Sequence, residues 1–135
     1  MFVDFYQAPS HFTPVSTALL SQFAHTEQTD IQANVIPAIV DLAAATDSSE
    51  QQKEINAALL QHMRSDKAAV RLGAVRCERA LTDRLGHDWL ELLPEMLPVI
   101  SELQEDDDEQ VERESLNWIR KIEETMGESL APMLQ

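Results

Sequence analysis

The run Glu105-Asp106-Asp107-Asp108-Glu109 sets five acids in succession, and Glu112 and Glu114 extend it. Clustered carboxylates suit two chemistries. They hold a hard cation through oxygen, or they grip the Lys and Arg side chains of a basic partner. A calcium loop of the EF type needs more than acid: alternating oxygen ligands, a glycine at the turn and a distal Glu. No glycine lies near this run. The pattern therefore predicts a solvated turn or a docking site for a basic segment, and no metal. Its acids also favour the N-terminus of the helix that follows, through the helix dipole.

The opposite charge gathers one stretch earlier. Arg64, Lys67, Arg71, Arg76, Arg79 and Arg84 are six of the ten basic residues, and Asp66, Glu78 and Asp83 interleave with them. The bland reading is a salt-bridged exposed face that adds little stability. The functional reading is a contact with RNA or an acidic partner. Arg76 and Arg79 lie off the apolar seam, so they are expected to be exposed and available.

Nucleophiles and metal ligands are sparse. Cys77 is the sole cysteine and sits on an apolar stripe, which predicts a buried structural thiol. His11, His25, His62 and His87 are scattered, with no i, i+4 pair. No Ser sits in a nucleophile elbow, and three glycines leave little room for a phosphate loop. The sequence holds no catalytic constellation, and no cofactor is expected.

The elements that would carry these charges follow from composition and period. The chain has 135 residues and 44% hydrophobic content, enough for one packed domain. With 24 acidic and 10 basic residues its formal charge is −14. Residues 1–67 carry −5 of it and residues 68–135 carry −9. That balance argues against a stand-alone nucleic-acid or anionic-membrane binder. No apolar run approaches the ~20 residues of a membrane span. The Met1-Phe2-Val3-Asp4 start lacks the pattern of a signal peptide, and the lone cysteine fits a reducing intracellular compartment.

Apolar spacing of 3–4 predicts helices almost throughout. The expected spans are 13–23, 31–45 (with Pro37 as a kink or a late start), 49–63, 66–85, 88–104 and 107–126, then a short helix over 128–134. Ser49 with Gln52 has capping-box spacing, Ser65-Asp66 and Asp88 read as caps, and Gly86 and Gly127 read as stops. The stripe Val70, Ala74, Cys77, Leu81, Leu85 recurs 41 residues later as Val111, Ser115, Trp118, Ile122, Met126. Helical pairs repeating at about this length are the signature of HEAT and armadillo units, which stack because one pair cannot bury both apolar faces. The sequence thus predicts an all-α solenoid of about three HEAT-like antiparallel pairs, 13–46, 49–86 and 88–127, with a C-terminal helix in 128–135. Phe2, Phe5, Tyr6 and Phe12 form an aromatic arm over 1–12 that either folds back on the first pair or leaves an apolar end able to dimerise.

Three stretches carry a resemblance: Lys67–Gly73 (KAAVRLG), Trp89–Asp106 (WLELLPEMLPVISELQED) and the ending Met126-Gly127-Glu128-Ser129-Leu130. Their order resembles the C-terminus of the nucleolar HEAT-repeat family called Utp ten in fungi and HEAT-repeat-containing protein one in animals. The similarity is tightest over 53–135. It implies a non-catalytic scaffold of the small-subunit processome, acting in pre-18S rRNA maturation in the nucleolus. It also implies that this chain is the C-terminal part of a longer protein. Expected partners are other processome proteins: Glu105, Asp106, Asp107, Asp108 and Glu109 are the candidate contacts for their basic segments, and Arg76 and Arg79 the candidate contacts for RNA or an acidic partner. RNA contact is expected to be weak. The family's Asp–Arg ladder is expected at Asp66 and Arg71; the last unit departs from the pattern, with Glu112 after Val111 and Arg113 one position later, so the ladder has less support there. The alternative is a general HEAT adaptor in nuclear transport or phosphatase assembly.

Overall fold

The computed structural model describes residues 29–46 and 48–134, with side chains from Val35 onward. The expected helix over 13–23 and the aromatic arm lie outside the described residues. Seven helices make up the rest: α1 (Thr29–Ala45), α2 (Ser49–His62), α3 (Ala68–Leu85), α4 (His87–Leu90), α5 (Leu93–Leu103), α6 (Glu109–Met126) and α7 (Ala131–Leu134), with no strand among the described residues.

Local chemistry sets the helix ends. Ser48 caps α2, its hydroxyl accepting from the Gln51 N–H at 3.3 Å. The capping box was expected at Ser49 and Gln52, so the sequence reading was one residue late. Thr46 explains the shift: its hydroxyl accepts from the Ser48 N–H and donates to the Gln51 side-chain oxygen, which fixes Ser48 outside the helix. Ser65-Asp66 does not cap α3. Lys67 holds the N-cap position with no side-chain capping bond to the helix, and Ser65 is used by Lys67 N–H and by Arg71 instead. Asp108 caps α6 by accepting from the N–H groups of Gln110 (2.9 Å) and Val111 (3.1 Å). Gly127 closes α6 with φ 78° and ψ 15°, a left-handed conformation that glycine adopts without a Cβ penalty.

The expected single helix over 88–104 is two helices. Pro94 lacks an N–H, and its ring would meet the carbonyl four residues back, so the helix breaks at Glu91-Leu92 and restarts with Pro94 in the first turn of α5. Asp88 sits within the first turn of α4, and Gly86 holds the N-cap position. Pro37 neither ends nor delays α1; it lies on the exposed face of one continuous helix, where water can satisfy what its ring displaces.

Two layers result. α1, α3 and α6 pack side by side with α3 in the middle; α2 and α5 form the second layer, each against its own partner, α3 or α6. The stripe that repeats in the sequence is the core: Val70, Ala74, Cys77 and Leu81 on α3, and Val111, Ser115, Trp118 and Ile122 on α6, are all buried. Ile55, Leu59, Met96 and Ile100 face them from the second layer, also buried. Leu130 is fully buried just before α7, and its N–H donates to Glu123 Oε2 at 2.9 Å, which fastens the chain's end.

Candidate functional site

The acidic turn divides into acids that build it and acids that face water. Asp106 and Asp108 build it. Asp106 Oδ1 accepts from the Asp108 N–H at 2.9 Å, and Asp108 caps α6. Glu105, Asp107 and Glu109 are exposed, as is Glu112 one turn on. The outward carboxylates thus stand on a turn that its two inner acids hold in shape.

Arg71 crosses the junction from α3 to this turn. Its Nε and Nη2 donate to Asp106 Oδ2 (2.9 Å) and Oδ1 (3.1 Å), and Nη1 donates to the Ser65 carbonyl at 2.8 Å. Both side chains are largely buried. This corrects the Asp66–Arg71 expectation: Arg71 pairs with Asp106, and Asp66 is exposed. The fork of a guanidinium matches a carboxylate two atoms to two, and Asp106 offers that geometry across the junction. Asp106 is therefore committed inside the fold and is not free for a partner.

Arg76 and Arg79 are also corrected. Both are half-buried and flank Glu114 of α6, with Nε 3.9 Å and 3.1 Å from its carboxylate oxygens. The Arg79 contact is ionic and not a hydrogen bond, because the N–H does not point at the oxygen. Further ties link neighbouring units: Arg64 with Glu102 (2.9 Å), Lys121 with Asp83 (3.1 Å), Arg84 with Asp41 (3.3 Å), and Asn56 Nδ2 donating to Glu95 at 3.3 Å. Arg64, Arg71, Arg76, Arg79 and Arg84 of the basic stretch each meet an acid 35 or more residues away along the chain. What is left outward around the turn is mostly acid: Glu105, Asp107, Glu109 and Glu112 are exposed there beside a single base, Arg113.

Behind this surface lies a buried polar line that the sequence reading missed. Glu78, whose place among the bases of that stretch predicts an exposed face, is fully buried. Its Oε1 accepts from the Trp89 indole N–H at 2.9 Å, and Oε2 has no partner among the described residues. Burial raises its pKa from 4.5 to about 8, and the indole bond offsets only part of that rise. Thr82 donates to the Glu78 carbonyl at 2.8 Å and accepts from the Trp118 indole at 3.2 Å. A signal was present: Glu78 sits next to Cys77 on the seam side of α3, and two Trp residues elsewhere needed buried acceptors. Cys77 is fully buried, and burial pushes its thiol pKa up, as expected of a structural thiol.

Among the described residues no group of three or more His, Cys, Asp or Glu is placed to hold a metal ion. No described helix is long and apolar enough to cross a membrane.

No protein-family profile matches the chain. A Neurospora crassa protein called U3 small nucleolar RNA-associated protein 10 is 59% identical over 132 residues, covering 97% of this chain. Its namesake in Chaetomium globosum is 57% identical over 131 residues, again covering 97%. The chain is homologous to a segment of the U3 small nucleolar RNA-associated protein 10 family. The namesake in Aspergillus oryzae is 46% identical over 146 residues, so the likeness reaches beyond near neighbours. This chain spans 7% to 8% of the length of these U3 small nucleolar RNA-associated protein 10 relatives.

Proposed function

We propose that this chain is a non-catalytic, protein-binding scaffold module within a U3 small nucleolar RNA-associated protein 10 homologue. It serves the small-subunit processome, and so ribosome biogenesis, in the nucleolus. The relatives' name supports the setting. One observation supports the mode: Glu105, Asp107 and Glu109 face solvent from a turn whose shape Asp106, Asp108 and Arg71 fix from inside. A turn whose shape is already fixed presents its carboxylates to a basic segment without first ordering its own backbone. RNA is a poor ligand for this face, because its phosphates would meet like charge. Each proposed unit, 13–46, 49–86 and 88–127, exists to hold the next.

The test is charge reversal in the full-length homologue. Glu105→Lys, Asp107→Lys and Glu109→Lys together should reduce association with processome proteins that present Lys- and Arg-rich segments, read by affinity capture at two salt concentrations. Helicity should not change. Association that is unaltered at both salts would refute the docking role. Tight RNA binding by the isolated 135-residue chain at 200 mM salt would refute the choice of protein over RNA.

A further inference from the structure

The repeat that builds the core also repeats its edge. The edge by which α3 holds α6 includes Val75, Arg79 and Asp83, spaced four residues apart. Val75 is fully buried, Arg79 stands by Glu114, and Asp83 accepts from Lys121. Forty-one residues on, α6 carries Leu116, Arg120 and Glu124 at the same spacing. All three are exposed, and Leu116 is one of two large apolar side chains left in water among the described residues, at 42% exposure.

Helical geometry places Leu116 and Arg120 on the far side of α6, with Glu124 closer to its exposed face. At about 100° per residue, Leu116 lies roughly 200° around the helix from Glu114, which faces α3. α7 packs against α5. Arg120 has no ion-pair partner among the described residues, whereas its counterpart Arg79 has one. Glu124 touches only Lys121 of its own helix, at 3.4 Å.

We propose that Leu116, Arg120 and Glu124 form a docking edge for an amphipathic helix of a partner protein. That helix carries an acid and, two turns later, a lysine, along one edge of an apolar stripe. The charge order argues for this occupant. Arg79 and Asp83 receive a Glu and a Lys seven residues apart, Glu114 and Lys121, and Arg120 and Glu124 offer the same cation and anion in the same order. The partner helix thus continues the α1, α3, α6 layer. This surface is distinct from the acidic turn, and either can fail without the other.

The probe is a stapled helical peptide with the sequence of α6, Glu109–Met126, added to the full 135-residue chain and followed by fluorescence anisotropy. Saturable binding is expected. Arg120→Glu in the chain should weaken it about fivefold, since a like-charge contact costs about what the opposite-charge contact gives. The peptide carrying Glu114→Arg should recover that loss on the Arg120→Glu chain and bind the unaltered chain less well. Both chain variants, Arg120→Glu and Leu116→Asp, change exposed residues, so unaltered helicity should accompany the loss. Absence of saturable binding, or binding indifferent to both variants, overturns the proposal. So does sedimentation showing that the chain dimerises and that Leu116→Asp abolishes the dimer, since the occupant is then a second copy.

Discussion

Replacing Glu78 by Gln should make the domain's stability less dependent on pH. Glu78 is fully buried, and its pKa is raised from 4.5 to about 8. A raised folded-state pKa means the folded chain keeps a proton that the unfolded chain releases. The stability this contributes is complete below about pH 4.5 and is lost as pH rises toward 8. The slope between those limits is about 1.4 kcal/mol per pH unit. At pH 7 the loss amounts to about 3 kcal/mol, a large share of a typical domain's stability of about 5–15 kcal/mol. Gln removes the titration while keeping an oxygen for the Trp89 indole. Its amide N–H group replaces the O–H of the protonated acid at the site where Oε2 has no partner, so the two side chains start close to parity in acid. The assay is urea unfolding of both chains, followed by far-UV circular dichroism from about pH 5.5 to about pH 7.5. The stability of Glu78→Gln relative to the parent should climb by about 2–3 kcal/mol over that range. A difference that stays flat would mean that Glu78 is ionised in the folded chain, which refutes its burial beside Trp89.

Three further outcomes follow from the packing. Leu81→Ala should cost about 2–5 kcal/mol in the same unfolding assay, because Leu81 is fully buried on the α3 seam; a cost under about half a kcal/mol would place it elsewhere. Arg71→Ala should cost about 2 kcal/mol by stranding the largely buried Asp106, whereas Asp66→Ala should stay within about 0.5 kcal/mol. Equal effects would restore the Asp66–Arg71 pairing. Cys77 should react with a thiol reagent at pH 8 only as fast as the chain opens, since burial both hides the sulfur and raises its pKa. Immediate modification in the folded state would overturn that placement.

What could be read from the sequence depended on how far each interaction reaches. The stripes Val70 to Leu81 and Val111 to Ile122 are periodic within one helix, so local spacing exposed them and their 41-residue echo. Gly127 and Asp108 act within a turn of their own helix and were equally readable. Pairing choices were not. Arg71 has Asp66 nearby in sequence and takes Asp106, because the stacking of α3 on α6 brings that carboxylate to the fork. Arg76 and Arg79 looked free for the same reason: Glu114 is 35 or more residues away along the chain. Glu78 is the sharpest case. Its composition says surface, and only the positions of Trp89 and Trp118 around α3 turn it into a buried acceptor. The helix break before α5 was readable from Pro94 but went unread, because apolar periodicity continues through it.

The ties between units have a consequence for synthesis. Beside the short links Gln52 to Ala43 and Trp89 to Glu78, the long-range side-chain hydrogen bonds between neighbouring units span 35 to 43 residues among the described residues: Arg71 to Asp106, Trp118 to Thr82, Lys121 to Asp83, Arg64 to Glu102, Asn56 to Glu95 and Arg84 to Asp41. At a translation rate of about 5–20 residues per second, each unit waits roughly 2–8 seconds for the residues that will cover it. No such bond asks for the far end of the chain. A newly made segment can lock to its predecessor as it emerges, and its own open edge lasts only until the next helix arrives. A protein many times longer than this segment, built on the same plan, would never leave more than about one unit's worth of apolar edge unsheltered while it is being made.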